Sequence, residues 1–165
     1  MPTIAAGEVL VRVRATALNR ADLLQRAGSY PPPPGESEIL GLELAGEVAQ
    51  VVEGDTSHSL RVGERVCALV GGGGYAQYAR VAASSVIRVP EWMSVEQAAA
   101  LPEAWMTAYQ ALHWVGGLAR LPTKNVLIHA GASGVGLAAI QLAKLQPGVR
   151  VLVTAGSQVR RARCS

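Results

Sequence analysis

Asn125-Val-Leu-Ile-His-Ala-Gly-Ala-Ser-Gly-Val-Gly-Leu-Ala-Ala-Ile-Gln-Leu142 reads as a strand, a glycine-rich turn and the first turns of a helix. Val126 to Ala130 are apolar apart from His129, the pattern of a strand covered on both faces. Gly131, Gly134 and Gly136 let the backbone turn sharply and approach a ligand where a Cβ would collide. A helix expected from Val135 to about Leu145 aims its free N–H groups and the positive end of its dipole at that ligand. Such a place accommodates an anion, above all a pyrophosphate. Glycine also serves plain tight turns, so it is the strand before and the helix after that make this a dinucleotide site.

The remaining sequence sets the frame. With 165 residues, half of them hydrophobic and 16% charged, the chain has enough length and apolar content for a sizeable core, in one domain or one and a half. No apolar run is long enough to span a bilayer. Met1-Pro-Thr-Ile-Ala-Ala-Gly-Glu8 lacks the basic start and apolar core of a signal peptide. Cys67 and Cys164 have no metal-ligand spacing and read as unpaired thiols of a reducing cytosol. Residues 1–103 hold 8 Lys+Arg and all 12 Asp+Glu, a balance of −4, whereas residues 104–165 hold 7 Lys+Arg and no acid. A basic half suits nucleic acid or an anionic cofactor. Its cations (Arg120, Lys124, Lys144, Arg150) are scattered before Arg160, Arg161 and Arg163, with no aromatic interleaving to stack bases, so the cofactor is the better explanation.

Glu8 to Arg14 alternates apolar and charged residues, as a strand with one wet face does. Asn19 to Arg26 reads as a short helical region stopped by Gly28, and Tyr30-Pro-Pro-Pro-Pro-Gly35 as a stiff surface connection. Leu42 to Glu53 and Arg65 to Leu69 are further strands, joined by a polar turn around Gly54-Asp-Thr-Ser-His-Ser59. Gly71 to Gly74 leads into a strand from Tyr75 to Val81. Short strands between glycine-rich turns make the first ninety or so residues mainly β. Ser94 and Gln97 form a capping box. Pro102 breaks that helix and opens another, Glu103 to Val115. Strand, glycine turn, helix, Pro147-Gly148 and the apolar strand Arg150 to Thr154 then make one βαβ unit. His129, ending a buried strand, reads as a satisfied core histidine, and Trp92 and Trp105 as packing residues.

The pieces together resemble the medium-chain dehydrogenase/reductase superfamily over nearly the whole chain. Gly41-Leu-Glu-Leu-Ala-Gly-Glu-Val48 with Gly63-Glu-Arg-Val66 resembles its catalytic-domain signature. Ala17-Leu-Asn-Arg-Ala-Asp22, Tyr75-Ala-Gln-Tyr78, Ala98-Ala-Ala-Leu-Pro102 and the glycine loop are similar to its zinc-free quinone oxidoreductase branch. The resemblance implies an α/β chain: a mainly β GroES-like catalytic domain over residues 1–103, lacking its first strand, then a connecting helix and an incomplete Rossmann NADP-binding unit over residues 104–165.

Zinc-binding relatives place Cys, His and Cys where this chain has Asn19, Leu42 and Glu103. An Asn and a Leu cannot replace thiolate and imidazole, and His58, His113 and His129 do not rebuild such a site, so no metal is expected. Without a Lewis acid, a quinone or activated enone is the suitable hydride acceptor, because it takes the hydride into a conjugated system. The resemblance places Asn19, Asp22 and Tyr30 near the nicotinamide end of the cleft, although Asn19 also suits a helix cap and Asp22 a loop tie. It places Thr107 on a helix facing the cofactor, where its hydroxyl also suits a bond to its own preceding turn. Main-chain N–H groups of Ser133, Gly134 and Val135 would meet the pyrophosphate. No catalytic acid is singled out; water or a hydroxyl serves.

NAD-preferring Rossmann domains carry an acid about 20 residues beyond the glycine loop. Here Ala155-Gly156-Ser157 stands in that place, and Gly156, Ser157 and Arg160 suit a 2′-phosphate, so NADPH is the expected cofactor. Relatives have a basic pair directly after Gly-Ser-Gln, whereas here Val159 precedes Arg160-Arg161. The implied parent enzyme is cytoplasmic, free of membrane and nucleic acid, and homodimeric. A sheet of about six strands is normal for this fold, and Val159-Arg-Arg-Ala-Arg-Cys-Ser165 does not follow the amphipathic helix expected after the second strand. The chain thus reads as truncated at both ends, reflecting splicing, a frameshift or an incomplete sequence. The alternative function is a catalytically silent form that acts only by binding or heterodimerising.

Overall fold

The computed structural model describes residues 1–52, 59–120, 122, 125–162 and 164. Residues 54–58 of the expected polar turn, His58 among them, lie outside the described residues, as do Lys124 and Arg163. The chain forms two compact units, Met1–Glu103 and Ala104–Ser165.

The first unit is built on an antiparallel five-stranded sheet of order β4-β1-β2-β3-β5. Its strands are β1 (Glu8–Ala15), β2 (Glu43–Val51), β3 (Arg65–Leu69), β4 (Tyr78–Ala82) and β5 (Val86–Arg88). Alternation sends Val9, Val11, Leu44, Val48, Val66, Ala79 and Val81 to one apolar layer. The opposite face of β2 and β3 is closed by α2 (Val95–Ala99), whose Ala98 and Ala99 pack on Ala45 and Cys67. The expected capping box is present there: Gln97 N donates to Ser94 Oγ at 3.1 Å and Ser94 N to Gln97 Oε1 at 3.0 Å. A short helix, α1 (Arg20–Arg26), follows Asn19, which caps it in extended geometry.

Two expectations change. The strand expected from Tyr75 begins only at Tyr78, because a tight turn (Ala76 N to Gly73 O, 3.0 Å) diverts the Tyr75 side chain to Asp22 instead. Strand β5 went unread, since three residues are too few for alternation to show. Trp92 is largely exposed rather than packed.

In the second unit β6 (Asn125–Ile128) and β7 (Arg150–Val153) pair in parallel, joined through α4 (Gly134–Lys144). Val126, Ile128, Val151 and Val153 pack against Ala138, Ala139 and Ile140 of α4 and against Trp105 and Ala108 of α3 (Pro102–Tyr109). In this chain Leu127 and Leu152 are 57% and 41% exposed, so one face of the two-stranded sheet is open. His129 is likewise exposed, not core.

The single helix expected from Glu103 to Val115 is α-helical to Tyr109 and then π-wound over Gln110–Val115. The wider winding brings Tyr109 against both His113 (4.6 Å between rings) and Trp114 (6.2 Å, edge-on). After β7 the tail forms a five-residue helix, α5 (Gln158–Ala162). Among the described residues no helix is long and apolar enough to cross a membrane.

Candidate active site

Within the first unit, three acids from three elements converge. Asp22 sits on the inner face of α1 at 5% exposure, and Glu43 opens β2 at 1%. Asn19 N donates to Asp22 Oδ2 at 2.6 Å, and its side-chain Nδ2 donates to Glu43 Oε1 at 2.7 Å. The Tyr75 hydroxyl donates to Asp22 Oδ2 at 2.8 Å. Glu43 Oε2 accepts the backbone N–H of Glu103 at 2.9 Å, so one buried carboxylate ties the start of α1 to the first turn of α3. A Cβ on Gly41 would lie 2.5 Å from the Tyr75 ring and 2.6 Å from its backbone N, so only glycine lets Tyr75 approach this way.

No Lys, Arg or His among the described residues pairs with Asp22, Glu43 or Glu103. Burial and the carboxylates of Glu43 and Asp22 push the Glu103 carboxyl above its ordinary value. Burial, helped by the hydrogen bond to Asp22, pushes the Tyr75 phenol up to about 12. Burial and Glu43 raise the Cys67 thiol, which makes it a poor nucleophile. Beside this cluster lies a cavity of about 350 Å³ whose lining includes Tyr30, Leu42, Gly71, Arg80 and Glu103.

Tyr30 and Glu103 thus share one cavity wall, whereas Asn19 is half-buried as a cap and Asp22 is a buried strut. Sequence reasoning passed over Glu43 and Tyr75. Glu43 stands inside an apolar run, but Glu47 shares its strand parity with Ala45, so no local signal separates the two acids.

In the second unit the start of α4 leaves backbone N–H groups exposed. Ser133 caps α4, its Oγ accepting Gly136 N at 3.0 Å. Among the described residues no acceptor meets the N–H groups of Gly134 or Val135, both exposed at the helix start. A Cβ built on Gly134 meets only Ala104 Cβ, at 3.8 Å, so the approach is open. One on Gly136 would lie 2.5 Å from Ala130 O, so that glycine is required. Thr154 locks the loop: its carbonyl accepts Gly131 N at 2.9 Å, and its hydroxyl lies 3.1 Å from His129 Nδ1 and accepts Ala130 N at 3.3 Å. Thr107, exposed on α3, stands one turn beyond Ala104. Gly156, Ser157 and Arg160 come together after β7: Ser157 Oγ accepts Arg160 N at 3.3 Å, and the Arg160 guanidinium lies 3.8 Å from a Cβ built on Gly156. The donor set and the open glycine edge fit a dinucleotide pyrophosphate, with a cation placed for a further phosphate.

Residues 5–91 match the alcohol dehydrogenase GroES-like domain, and the chain belongs to that family. Its structural relatives include proteins named quinone oxidoreductase, enoyl reductase and alcohol dehydrogenase superfamily protein. It is 41% identical over 161 residues to the low-reducing polyketide synthase drtA of Aspergillus calidoustus, covering 98% of this chain and 6% of that one. It is 40% identical over 156 residues to the synaptic vesicle membrane protein VAT-1 homolog of Danio rerio, covering 94% and 31%. The human synaptic vesicle membrane protein VAT-1 homolog-like protein superposes with a TM-score of 0.86 at 35% identity, over 98% of this chain and 51% of that one. The quinone oxidoreductase of Thermus thermophilus, solved also with NADPH, gives 0.76 at 36%, over 96% and 48%. The CurK enoyl reductase gives 0.83 at 32%, over 98% and 49%. The chain therefore spans about half the length of these solved relatives and less of the curated ones.

Proposed function

We propose that this chain carries the catalytic and pyrophosphate-binding parts of a zinc-independent, NADPH-dependent reductase of quinones. The observation that carries the reading is the cradle of Ser133, Gly134 and Val135, with Gly156, Ser157 and Arg160 gathered after β7 and no acid beyond Glu103. An acid there would repel a 2′-phosphate; Arg160 attracts one. NADPH, when bound, supplies the hydride; the chain supplies position and electrostatics. Ser133, Gly134 and Val135 hold the pyrophosphate, Thr107 the cofactor's amide or phosphate, and Arg160 the 2′-phosphate. Tyr30 faces the acceptor from the cavity wall, with Asn19 and Asp22 bracing the start of α1 behind it.

Zinc independence is supported by the chemistry of the donors. The Asn19 amide is spent on Glu43, Leu42 offers no lone pair, and no group of three or more His, Cys, Asp or Glu among the described residues is arranged to hold a metal ion. Pro102-Glu-Ala-Trp105, Thr107-Ala-Tyr109 and Val153-Thr-Ala-Gly-Ser-Gln158 resemble the p53-inducible quinone oxidoreductase, a likeness that supports a cytoplasmic chain with a homodimeric parent.

The similarity to an enoyl reductase and a polyketide synthase favours a second reading, reduction of an enoyl thioester. The test is oxidation of NADPH by the chain with ortho- and para-quinones against enoyl thioesters. Quinone turnover supports the first reading, and turnover of the thioester alone replaces it. NADPH binding without either turnover assigns the chain a binding role.

A further inference from the structure

The three-acid cluster leaves one group unaccounted for. Glu43 has both carboxylate oxygens engaged, by Asn19 and by the Glu103 backbone, and Asp22 has Oδ2 engaged twice. Asp22 Oδ1 is buried with no partner. The Glu103 carboxyl, by contrast, has no hydrogen-bond or ion-pair partner among the described residues and stands on the wall of the 350 Å³ cavity with Tyr30. The titratable and charged groups around it are Asp22 on α1, Glu43 on β2, Cys67 on β3, Tyr75 in the turn before β4, and Glu36 and Arg80 on the cavity lining. Arg80, the cation among them, is held by Glu8 at 3.4 Å and by the Gly35 carbonyl at 2.6 Å.

We infer that Glu103 is the proton donor of the site, an unpaired carboxyl on the cavity wall, backed by the buried acids Asp22 and Glu43 and presented to the acceptor in the cavity. Glu103 lines the cavity together with Glu36 and Arg80, with the buried acids Glu43 and Asp22 behind it, and like charges in low dielectric repel, so a proton on Glu103 relieves the crowding. Asp22 and Glu43 are engaged by N–H and O–H donors. Glu103, unbonded and partly exposed, holds its proton more firmly than an ordinary glutamate, through burial first and then the neighbouring Glu43 and Asp22. The role rests on the reductase reading above. Addition of hydride to a quinone, with oxidation of NADPH to NADP⁺, leaves a hydroquinone monoanion. The Glu103 O–H bond breaks, the hydroquinone O–H bond forms, and the resulting Glu103 carboxylate regains a proton from solvent at the cavity mouth. Glu43 is then a positioning residue, fixing the Glu103 backbone through the 2.9 Å bond.

Carbon-13 NMR of the side-chain carboxyls, assigned by Glu103→Gln in the full 165-residue chain, reads the proton directly. Glu103 is expected to titrate above the ordinary glutamate range; titration within that range overturns the inference whatever the activity. In turnover of a para-quinone, Glu103→Gln is expected to lower kcat about 100-fold and abolish the basic limb of the pH profile. Glu103→Asp retains that limb, and NADPH affinity by fluorescence is unchanged. An unaltered rate and pH profile in Glu103→Gln also overturns the inference. A chain that reduces no quinone while Glu103 titrates high refutes the substrate reading and supports the proton-holding carboxyl.

Discussion

Glu43 shows how much one side chain organises here. It is almost fully buried, its charge is balanced by no cation among the described residues, and it is held by N–H donors alone. Removing it leaves those donors unpaired in a dry place, each at about 1–3 kcal/mol. Glu43→Ala is expected to lower unfolding free energy by about 2–4 kcal/mol in urea titration. Glu43→Gln is expected to lose less, since it keeps one acceptor. Glu103 makes a prediction of opposite pH sense to that of a salt-bridged acid. Its folded pKa lies above the unfolded one, so both states are protonated at low pH and the site contributes no penalty. As pH rises through the ordinary carboxylate value, the unfolded chain releases its proton first and stability falls, until the raised folded value is passed. Glu103→Gln is expected to flatten this part of the stability curve, read as urea midpoints from about pH 4 to 8. Neither role was legible in the sequence. Glu43 was visible only as part of a signature, because nothing local says which acid of Glu43 and Glu47 faces inward. Partners 24 and 60 residues away decide it.

Elements were read more successfully where a pattern is local. The strand, glycine turn and helix at Asn125 to Leu142 carry their own instructions, as does the Ser94–Gln97 cap. The π-wound end of α3 and strand β5 do not: the first depends on backbone bonding that side-chain periodicity cannot distinguish, the second is too short. The glycines of α4 allow a paired test. Alanine at Gly134 meets only Ala104 Cβ, in ordinary contact at 3.8 Å, and is expected to leave thermal unfolding unchanged or slightly raised, while weakening NADPH binding by narrowing the proposed phosphate approach. Alanine at Gly136 is expected to destabilise the unit outright, since its Cβ would press on the carbonyls of Ala130 and Gly131 at 2.5 and 2.7 Å. Thermal unfolding with NADPH fluorescence titration separates the two.

For the molecule as a whole, the charge asymmetry read from the sequence has a structural counterpart. All 12 acids fall in the unit that ends at Glu103, and the basic unit holds the glycine turn and helix start proposed to take the pyrophosphate. The expected result is a kcat/KM for NADPH at least ten times that for NADH, with Arg160→Glu abolishing the difference, as loss of one charged bond of about 1.5–3 kcal/mol would do. Steady-state kinetics with both cofactors checks this. The order of strands in the larger sheet has a different consequence, for the chain while it is being made. β1 lies between β2 and β4, so its second edge, Glu8 to Arg12, finds its partners only when residues 78–82 have emerged. At ~5–20 residues per second that interval, counted from the end of β2, is on the order of a few seconds. Throughout it a nascent hairpin of β1 and β2 presents Val9, Leu10 and Val11 beside unpaired backbone, the kind of edge that recruits a neighbouring chain on the same messenger.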